Sequence, residues 1–524
     1  MGDTHNTHVT PKIYASPLLW LPCELLVHTA SYISPDDLFR LRLTCRRVEN
    51  FLFASFSEEF FSNRRFMVTE CLRCLLNISR HAHLSKCLSK LTIGLDRLLS
   101  SDALQGAGLR DGHRNRPHVK RGVEPHKLEE FAGEQNWLVS SGQVQLLLGE
   151  ALDKLPNVVE ISLQDASEIR KSSRPGSREL LVSYGTAAAY RQTGIDLLGD
   201  EARLHSQDRF ADVVFSAALL AAARTGKQLR AVTVNMQKQN MGLSSSAFLL
   251  PKSYVESFRP ALQALHSLDL SVSFTHSAVG SLVNGSLGFL HWQHHHLFSL
   301  LEHTPNLVIL RVRSKGQSFL EDGIIGWLAC LADLSSGKQV LGSRLHGPLH
   351  ANPNDITPTQ RLGALRELGL GNMTAPTASI SKALLNLAGS LRHMHLDVVV
   401  VSVARDDDEL DNNPRSPNAW TSIFREMSES LNLEEFRVCS LGHQTPSCSS
   451  NGNRHQVAFL KSRLGAQSGP HNGLLNVWSY AGDVLAVKNF LLEAAEKTVI
   501  ICTSCKERNI GYRSFEDMIE EQGE

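Results

Sequence analysis

The sequence predicts an α/β protein in which a small three-helix unit precedes a long, irregular array of strands and helices built on a parallel sheet. Two observations favour this class. Residues 16–62 carry helix start signals and apolar residues at helical spacing. From about residue 85 to residue 440, an amphipathic segment followed by a short strand of alternating apolar residues recurs. With 524 residues and 42% hydrophobic side chains, the chain can bury a large core.

Three short helices are predicted before the array, within residues 16–62. Pro22 suits a helix start, and Glu24 is favoured near the positive helix N-terminus. The run Ser34-Pro35-Asp36-Asp37 combines a capping hydroxyl, a proline and two carboxylates, which predicts a second helix. A third helix carries an apolar stripe from Val48 to Phe56. Helices this small cannot bury several apolar faces in their own core, so we expect the surplus to form a partner surface.

The same stretch resembles an F-box, the helical module that docks a protein onto the Skp-type adaptor of cullin–RING ubiquitin ligases. The resemblance rests on three segments in order: LPCELL (21–26), YISPDDL (32–38) and LRLTCR (41–46). It implies adaptor contacts at the matching motif positions. These are Leu21, Pro22, Leu25, Leu38, Leu41 and Val48. Thr29 and Ala30 depart from the bulkier aliphatic residues usual in the family, and Val48 takes the place of a frequent tryptophan.

The strand pattern recurs along the middle of the chain. Its copies begin at Leu88, Leu155, Leu229, Leu262, Pro305, Leu362, Leu391 and Leu433. Each resembles the L-x-x-L-x-L core of a leucine-rich repeat, which implies units stacked into a curved solenoid with a parallel sheet on its concave side. The distances between copies are irregular, and an α/β domain with leucine-rich strands but no true solenoid is the alternative.

Two consequences of this pattern can be checked. The apolar pairs Leu268 and Leu270, Leu310 and Val312, and Leu368 and Leu370 should be buried. The residues that alternate with the apolar ones should project outward from the concave sheet and contact a target. They are Glu160, Ser162, Thr233, Asp269, Arg311 and Arg313. Arg311 and Arg313 are the favoured target-binding residues, because arginine is common in recognition hot spots; ordinary solvated charges are the alternative.

The predicted organisation divides the chain into four parts. Residues 16–62 form the F-box-like unit, and residues 63–440 form the repeat domain, with a mobile insertion near 100–128. Residues 441–473 are polar and rich in serine and glycine, which favours a linker. Residues 474–524 are predicted to hold a helix followed by an acidic tail.

Composition bounds the class of partner. Lys plus Arg and Asp plus Glu are 53 each, so charge gives no case for nucleic acid or a membrane surface. The sequence contains no apolar run of the ~18 residues that would span a bilayer, and its start lacks the apolar core of a secretory signal. We therefore expect a cytoplasmic or nuclear protein with reduced cysteines.

Catalytic and metal motifs are weak. Cys71-Leu-Arg-Cys74 and Cys502-Thr-Ser-Cys505 are far apart in sequence, whereas zinc sites usually join two such pairs at short spacing. His291 and His295 in HWQHHHLF lack the HExxH frame. No nucleophile elbow or phosphate loop is found. The sequence predicts no catalytic residues, no metal site, no cofactor and no enzymatic activity.

The expected function follows from both resemblances. The chain would be the substrate-recognition adaptor of a Skp–cullin–F-box ubiquitin ligase, with the adaptor bound at residues 16–62 and an unidentified protein target at the repeats. Two alternatives remain open: a scaffold that binds the adaptor or another protein without ubiquitin transfer, and a leucine-rich interaction protein with a vestigial F-box.

Overall fold

The computed structural model describes most of the chain, with gaps. The described residues are 17–97, 125–165, 168–171, 178–181, 183–193, 209–237, 242–251, 253–273, 295–315, 320–321, 323–335, 362–403, 418–444, 454–459, 477–502 and 512–513. Most of the expected 100–128 insertion, His291 and Cys505 lie outside them, while residues 125–128 begin a helix.

Three helices form the N-terminal module, defined as residues 17–61. They are α1 (Cys23–Ala30), α2 (Pro35–Arg42) and α3 (Arg46–Phe61), and a 3-10 turn at Pro17–Trp20 precedes them. The predicted start of α2 is confirmed, since the Asp37 N–H donates to Ser34 Oγ at 3.1 Å. Apolar residues of all three helices meet in a small core. Its buried members are Leu26, Ala30, Leu38, Val48, Leu52 and Phe56.

The rest of the described chain is organised by one 15-stranded sheet, accompanied by a separate β4–β5 hairpin. The strands are β1 (Asn63–Met67), β2 (Lys90–Gly94), β3 (Glu160–Gln164), β4 (Glu168–Lys171), β5 (Arg178–Leu181), β6 (Ala231–Asn235), β7 (Ser267–Val272), β8 (Ile309–Ser314), β9 (Leu320–Glu321), β10 (Glu367–Pro376), β11 (His393–Ser402), β12 (Glu435–Cys439), β13 (Gly442–Gln444), β14 (Arg454–Phe459), β15 (Val477–Ala481), β16 (Thr498–Ile501) and β17 (Tyr512–Arg513).

Parallel pairing in chain order is the main feature of this sheet. The sequence β1, β2, β3, β6, β7, β8, β10, β11, β12 is a run of neighbours, each parallel to the next. Each of these strands is therefore added at the same growing edge. The α/β class predicted from the sequence is confirmed, and each copy of the repeated pattern, from Leu88 to Leu433, leads into one of these parallel strands.

Helices connect the strands, and most of them cover one face of the sheet. They are α4 (Cys71–Arg80), α5 (Leu84–Cys87), α6 (Pro125–Ser140), α7 (Gln143–Lys154), α8 (Thr186–Thr193), α9 (Phe210–Arg224), α10 (Val255–Gln263), α11 (His295–Glu302), α12 (Gly323–Ser335), α13 (Thr377–Leu387), α14 (Ala419–Ser430) and α15 (Val484–Lys497). Most of their buried residues join those of the strands in one large apolar core, while Leu128 and Ala132 of α6 and Ala189 of α8 pack with Met67 of β1 in a separate cluster. Among the described helices, none is long and apolar enough to cross a membrane.

Side-chain alternation separates an apolar face from a polar face. The predicted buried pairs are confirmed: Leu310 and Val312 are both 0% exposed, and the pairs on β7 and β10 are at most 6% exposed. Residues between them, such as Asp269 and Arg311, lie on the opposite face, called here the polar face. Because strand side chains alternate with period two, the register fixes which residues share this surface.

The stretch 441–473 was predicted as a linker, and its described residues correct that prediction. They include β13 and β14, which pair antiparallel with His443 opposite His455. Both histidines are buried, with 0% and 3% of the residue exposed. The polar composition of this stretch therefore suggested a linker, although its described residues include strands that lie inside the fold. The predicted C-terminal helix exists as α15, but β15 beside it pairs with β12 and joins the main sheet.

Candidate functional site

The N-terminal module exposes an unusual amount of apolar surface. Five of the 15 exposed large apolar side chains among the described residues lie between Trp20 and Leu43. They are Trp20 (75% exposed), Leu25 (51%), Tyr32 (69%), Phe39 (40%) and Leu43 (83%). Single exposed apolar side chains are ordinary on protein surfaces, whereas several within one small unit are typical of an interaction site.

The structure separates the six predicted adaptor-contact residues into two groups. Leu38 and Val48 are 3% and 1% exposed and belong to the core of the module. Pro22 and Leu25 are exposed, while Leu21 and Leu41 are half-buried. Leu38 and Val48 therefore hold the helices together in this conformation, and a contact surface on the module would use Pro22, Leu25, Leu21 and Leu41.

Four exposed large apolar residues of the module were not among the six predicted contacts: Trp20, Tyr32, Phe39 and Leu43. Phe39 packs against two rings of α3, with centroids 5.2 Å from Phe56 and 5.2 Å from Phe60, and still leaves 40% of its surface exposed. The signal was present in the sequence, because Phe39 and Leu43 lie on a different side of the second helix from the buried Leu38.

A short joint connects the module to the sheet. Only Ser62 separates α3 from β1. Across this joint the Arg64 Nε–H donates to the Phe60 carbonyl oxygen at 2.5 Å, and the Phe53 ring stacks on His81 with centroids 6.1 Å apart. The Arg42 guanidinium lies 3.4 Å from the Phe56 ring centroid, which ties α2 to α3. The exposed apolar residues are thus held in a defined position relative to the sheet.

The second candidate surface is the open part of the polar face. The side chain of Arg311 reaches carboxylates on both neighbouring strands: its Nε–H donates to Glu367 Oε1 at 2.6 Å, and its Nη1 lies 3.8 Å from Asp269 Oδ2. Arg313 is exposed, and no ion pair joins it to another residue of the described chain. Burial raises the pKa of Asp269, and the two arginines oppose that shift.

Two glycines of β10 make this arrangement possible. Gly369 and Gly371 lie beside Arg311 and Arg313 in the register. A Cβ at either glycine would lie 2.9 Å from the Cγ of the adjacent arginine, closer than real Cβ atoms approach a neighbour. The missing side chains therefore leave room for both arginine stems to lie across β10. No motif in the sequence predicts this role for the two glycines.

On the other side of β10, histidines and carboxylates alternate. His395 Nδ1 lies 3.8 Å from Glu367 Oε1 and its Nε2 lies 3.4 Å from Glu435 Oε1. His393 Nδ1 lies 3.5 Å from Glu435 Oε2. The polar face is therefore a mixed-charge surface from β7 to β12, suited to hydrogen bonds and ion pairs with a protein partner.

The polar face is buried at its first three strands, β1, β2 and β3. Arg65, Thr92 and Ser162 occupy one cross-strand row, and each is at most 1% exposed. The Arg65 guanidinium pairs with Asp96 at 2.9 Å, and Ser183 Oγ donates to the same carboxylate. Ser162 was predicted to project outward as a recognition residue, and its burial corrects that prediction. Glu160, Thr233, Asp269 and Arg311 are partly exposed.

The cysteines show no reactive arrangement within the described residues. Cys71 begins α4, and burial raises the pKa of its thiol, which disfavours the nucleophilic thiolate. The neighbouring Cys74 side chain is the main reason that the pKa of the Tyr184 phenol is raised. Among the described residues, no cluster of three or more His, Cys, Asp or Glu side chains could hold a metal ion.

The sequence was compared with protein-family models and with curated proteins. No protein-family model matches the chain, and a search of curated proteins finds no similar sequence. The candidate sites therefore rest on the residues and their geometry: an exposed apolar surface on the N-terminal module, and a mixed-charge surface on the open polar face.

Proposed function

We propose that the chain is the substrate-recognition adaptor of a Skp–cullin–F-box ubiquitin ligase and is itself no enzyme. In this proposal the N-terminal module is an F-box that binds the Skp-type adaptor. The strands and helices that follow form an irregular leucine-rich-repeat domain that binds a protein target on its polar face. Catalysis of ubiquitin transfer belongs to the partners, and this chain contributes proximity.

The observation that carries the proposal is the apolar surface of the module. A three-helix unit with its own core, a motif resembling the F-box, and Trp20, Leu25 and Leu43 more than half exposed needs a partner to cover these side chains. Parallel strands added in chain order, with most helices on one face, are typical of repeat proteins and support the second half of the proposal. The single-residue joint at Ser62 suits a part that must hold a target at a fixed distance.

Adaptor binding is tested by co-purification with a Skp-type adaptor. Leu25→Asp with Leu43→Asp places charges on the exposed surface without touching the core, and we expect at least a hundredfold weaker adaptor binding, as for the loss of interface anchors. Leu485→Asp is the matched control, because Leu485 is 69% exposed on the distant α15. Equal co-purification of the folded double variant and the control would refute the F-box assignment.

Ubiquitin transfer is tested separately, by comparing target abundance in cells with the intact chain and with a chain lacking residues 16–62. Targets that accumulate on deletion support the ligase role. Adaptor binding with no change in any target would instead favour the alternative, a scaffold that is not coupled to ubiquitin transfer.

A further inference from the structure

A row of basic residues follows the rim where the parallel strands begin. Arg230, His266, Val308, Arg366 and Arg392 each immediately precede the first residue of their strand. Backbone hydrogen bonds of 2.8 Å link them in order, from the His266 N–H to the Arg230 carbonyl and so on to the Arg392 N–H and the Arg366 carbonyl. These residues therefore occupy equivalent positions in consecutive strands. We call Arg230, His266, Arg366 and Arg392 the basic rim.

The side chains of the basic rim are available to a partner. Arg230, His266 and Arg366 are exposed. Neither Arg230 nor Arg366 forms an ion pair with any other residue in the described ranges. Arg392 is 31% exposed and lies 3.9 Å from Glu434, the residue at the equivalent position of the next strand, where the basic row ends. The chain as a whole is neutral, so this alignment is a local feature.

We propose that the basic rim binds an acidic segment of a partner protein in extended conformation, at a surface separate from the polar face. Neighbouring strands lie ~4.8 Å apart, so the four steps from Arg230 to Arg392 span ~19 Å. Alternate side chains of an extended peptide repeat every ~6.6 Å, so three intervals, with about four carboxylates on one face, fit the same span. Three arginines, at the two ends and one step before the last, can pair with three of these carboxylates.

The size of the row favours an acidic protein segment over nucleic acid. Proteins that bind a nucleic acid backbone commonly neutralise about six to ten phosphates. The basic rim supplies three arginines and a histidine, Val308 interrupts it, and the carboxylate of Glu434 closes it. A short acidic segment meets these limits, whereas a continuous phosphate backbone would pass Glu434.

The test uses the full chain and a fluorescein-labelled oligoglutamate peptide, with binding followed by fluorescence anisotropy. Replacing Arg230, Arg366 and Arg392 by alanine should weaken peptide binding on the order of tenfold, since each exposed ion pair contributes little by itself. Lysine at the same three positions should keep most of the affinity. The matched control replaces Arg73, Arg259 and Arg425, which are exposed arginines elsewhere on the chain and outside the polar face.

Three results would overturn the proposal. One is unchanged binding by the alanine variant, and another is an equal loss in the control variant. The third is tighter, rim-dependent binding of a single-stranded oligonucleotide of equal charge, which would assign the surface to nucleic acid. Thermal melts of all variants establish that they are folded. Adaptor co-purification is measured in parallel, because loss of peptide binding with normal adaptor binding separates this inference from the proposed F-box role.

Discussion

Removing the carboxylate of Asp96 should destabilise the fold strongly. Asp96 and Arg65 are 3% and 1% exposed as side chains, and the Arg65 Nη2 lies 3.0 and 2.9 Å from the two carboxylate oxygens. Asp96→Ala leaves the Arg65 guanidinium buried without its counter-charge and deprives Ser183 of its acceptor. Breaking a buried pair from one side costs about 3–5 kcal/mol, most of it for the uncompensated charge.

The assay is urea unfolding followed by circular dichroism, with two comparison variants. Glu256→Ala removes an ion pair to Arg259 whose side chains are 75% and 44% exposed, and should change the free energy of unfolding by less than about 1 kcal/mol. Arg65→Met combined with Asp96→Ala removes both charges and should recover part of the loss. An Asp96→Ala variant as stable as Glu256→Ala would refute the account of a buried, desolvated pair.

Three further predictions concern the sheet. Burial, helped by His455, lowers the pKa of His443 from 6.5 to about 4, so the unfolded chain takes up the proton at a higher pH than the folded chain does. The free energy of unfolding should therefore be highest above pH 6.5 and fall by on the order of 3 kcal/mol as the pH drops towards 4. His443→Gln should flatten this pH dependence, measured as the urea midpoint at each pH. Leu310→Ala should cost about 2–5 kcal/mol in thermal melts, while Arg313→Ala should stay within about 0.5 kcal/mol; equal effects would contradict the alternation of buried and exposed positions. Gly371→Val should push Arg313 off β10 and weaken target capture with adaptor binding unchanged; unaltered capture would exclude this part of the polar face from the target site.

The repeated strands could be predicted because each carries its own signal. Leu268 with Leu270 and Leu310 with Val312 alternate at the spacing of a half-buried strand, and nothing distant is needed to identify them. The same holds for α2, whose start is encoded by Ser34 and the residues after it. The α/β class follows once these strands alternate with amphipathic helices.

The strands that were missed depend on contacts that no local pattern encodes. β1 contains Arg64 and Arg65, and its second arginine is buried only because Asp96 and Ser183 arrive from elsewhere in the chain. β13 and β14 bury His443 against His455 by cross-strand pairing. Long-range polar pairing of this kind leaves no periodicity in the sequence.

The sequence predicted which strand face carries a candidate site, but not the contacts that its side chains make. Arg311 and Arg313 do lie on the exposed face of their strand, as alternation requires. Arg311 is held between Asp269 and Glu367, and these partners come from strands that the sequence could not place side by side. Leu38 and Val48 show a different limit of sequence analysis. A motif gives the position of a residue, but it does not show whether the side chain faces the core or a partner.

The joint at Ser62 sets the rotational phase between the N-terminal module and the sheet. Each residue of an α-helix advances the chain by ~100° and ~1.5 Å. Inserting one residue into α3 before Ser62 would therefore turn the module, with Leu25 and Leu43, by more than a quarter of a circle about the helix axis and shift it by only ~1.5 Å along that axis. Inserting four residues would bring the orientation back to within ~40° and shift the module by ~6 Å along the axis. The length of α3 can therefore change only in steps of about one helical turn if the module is to keep its orientation relative to the sheet.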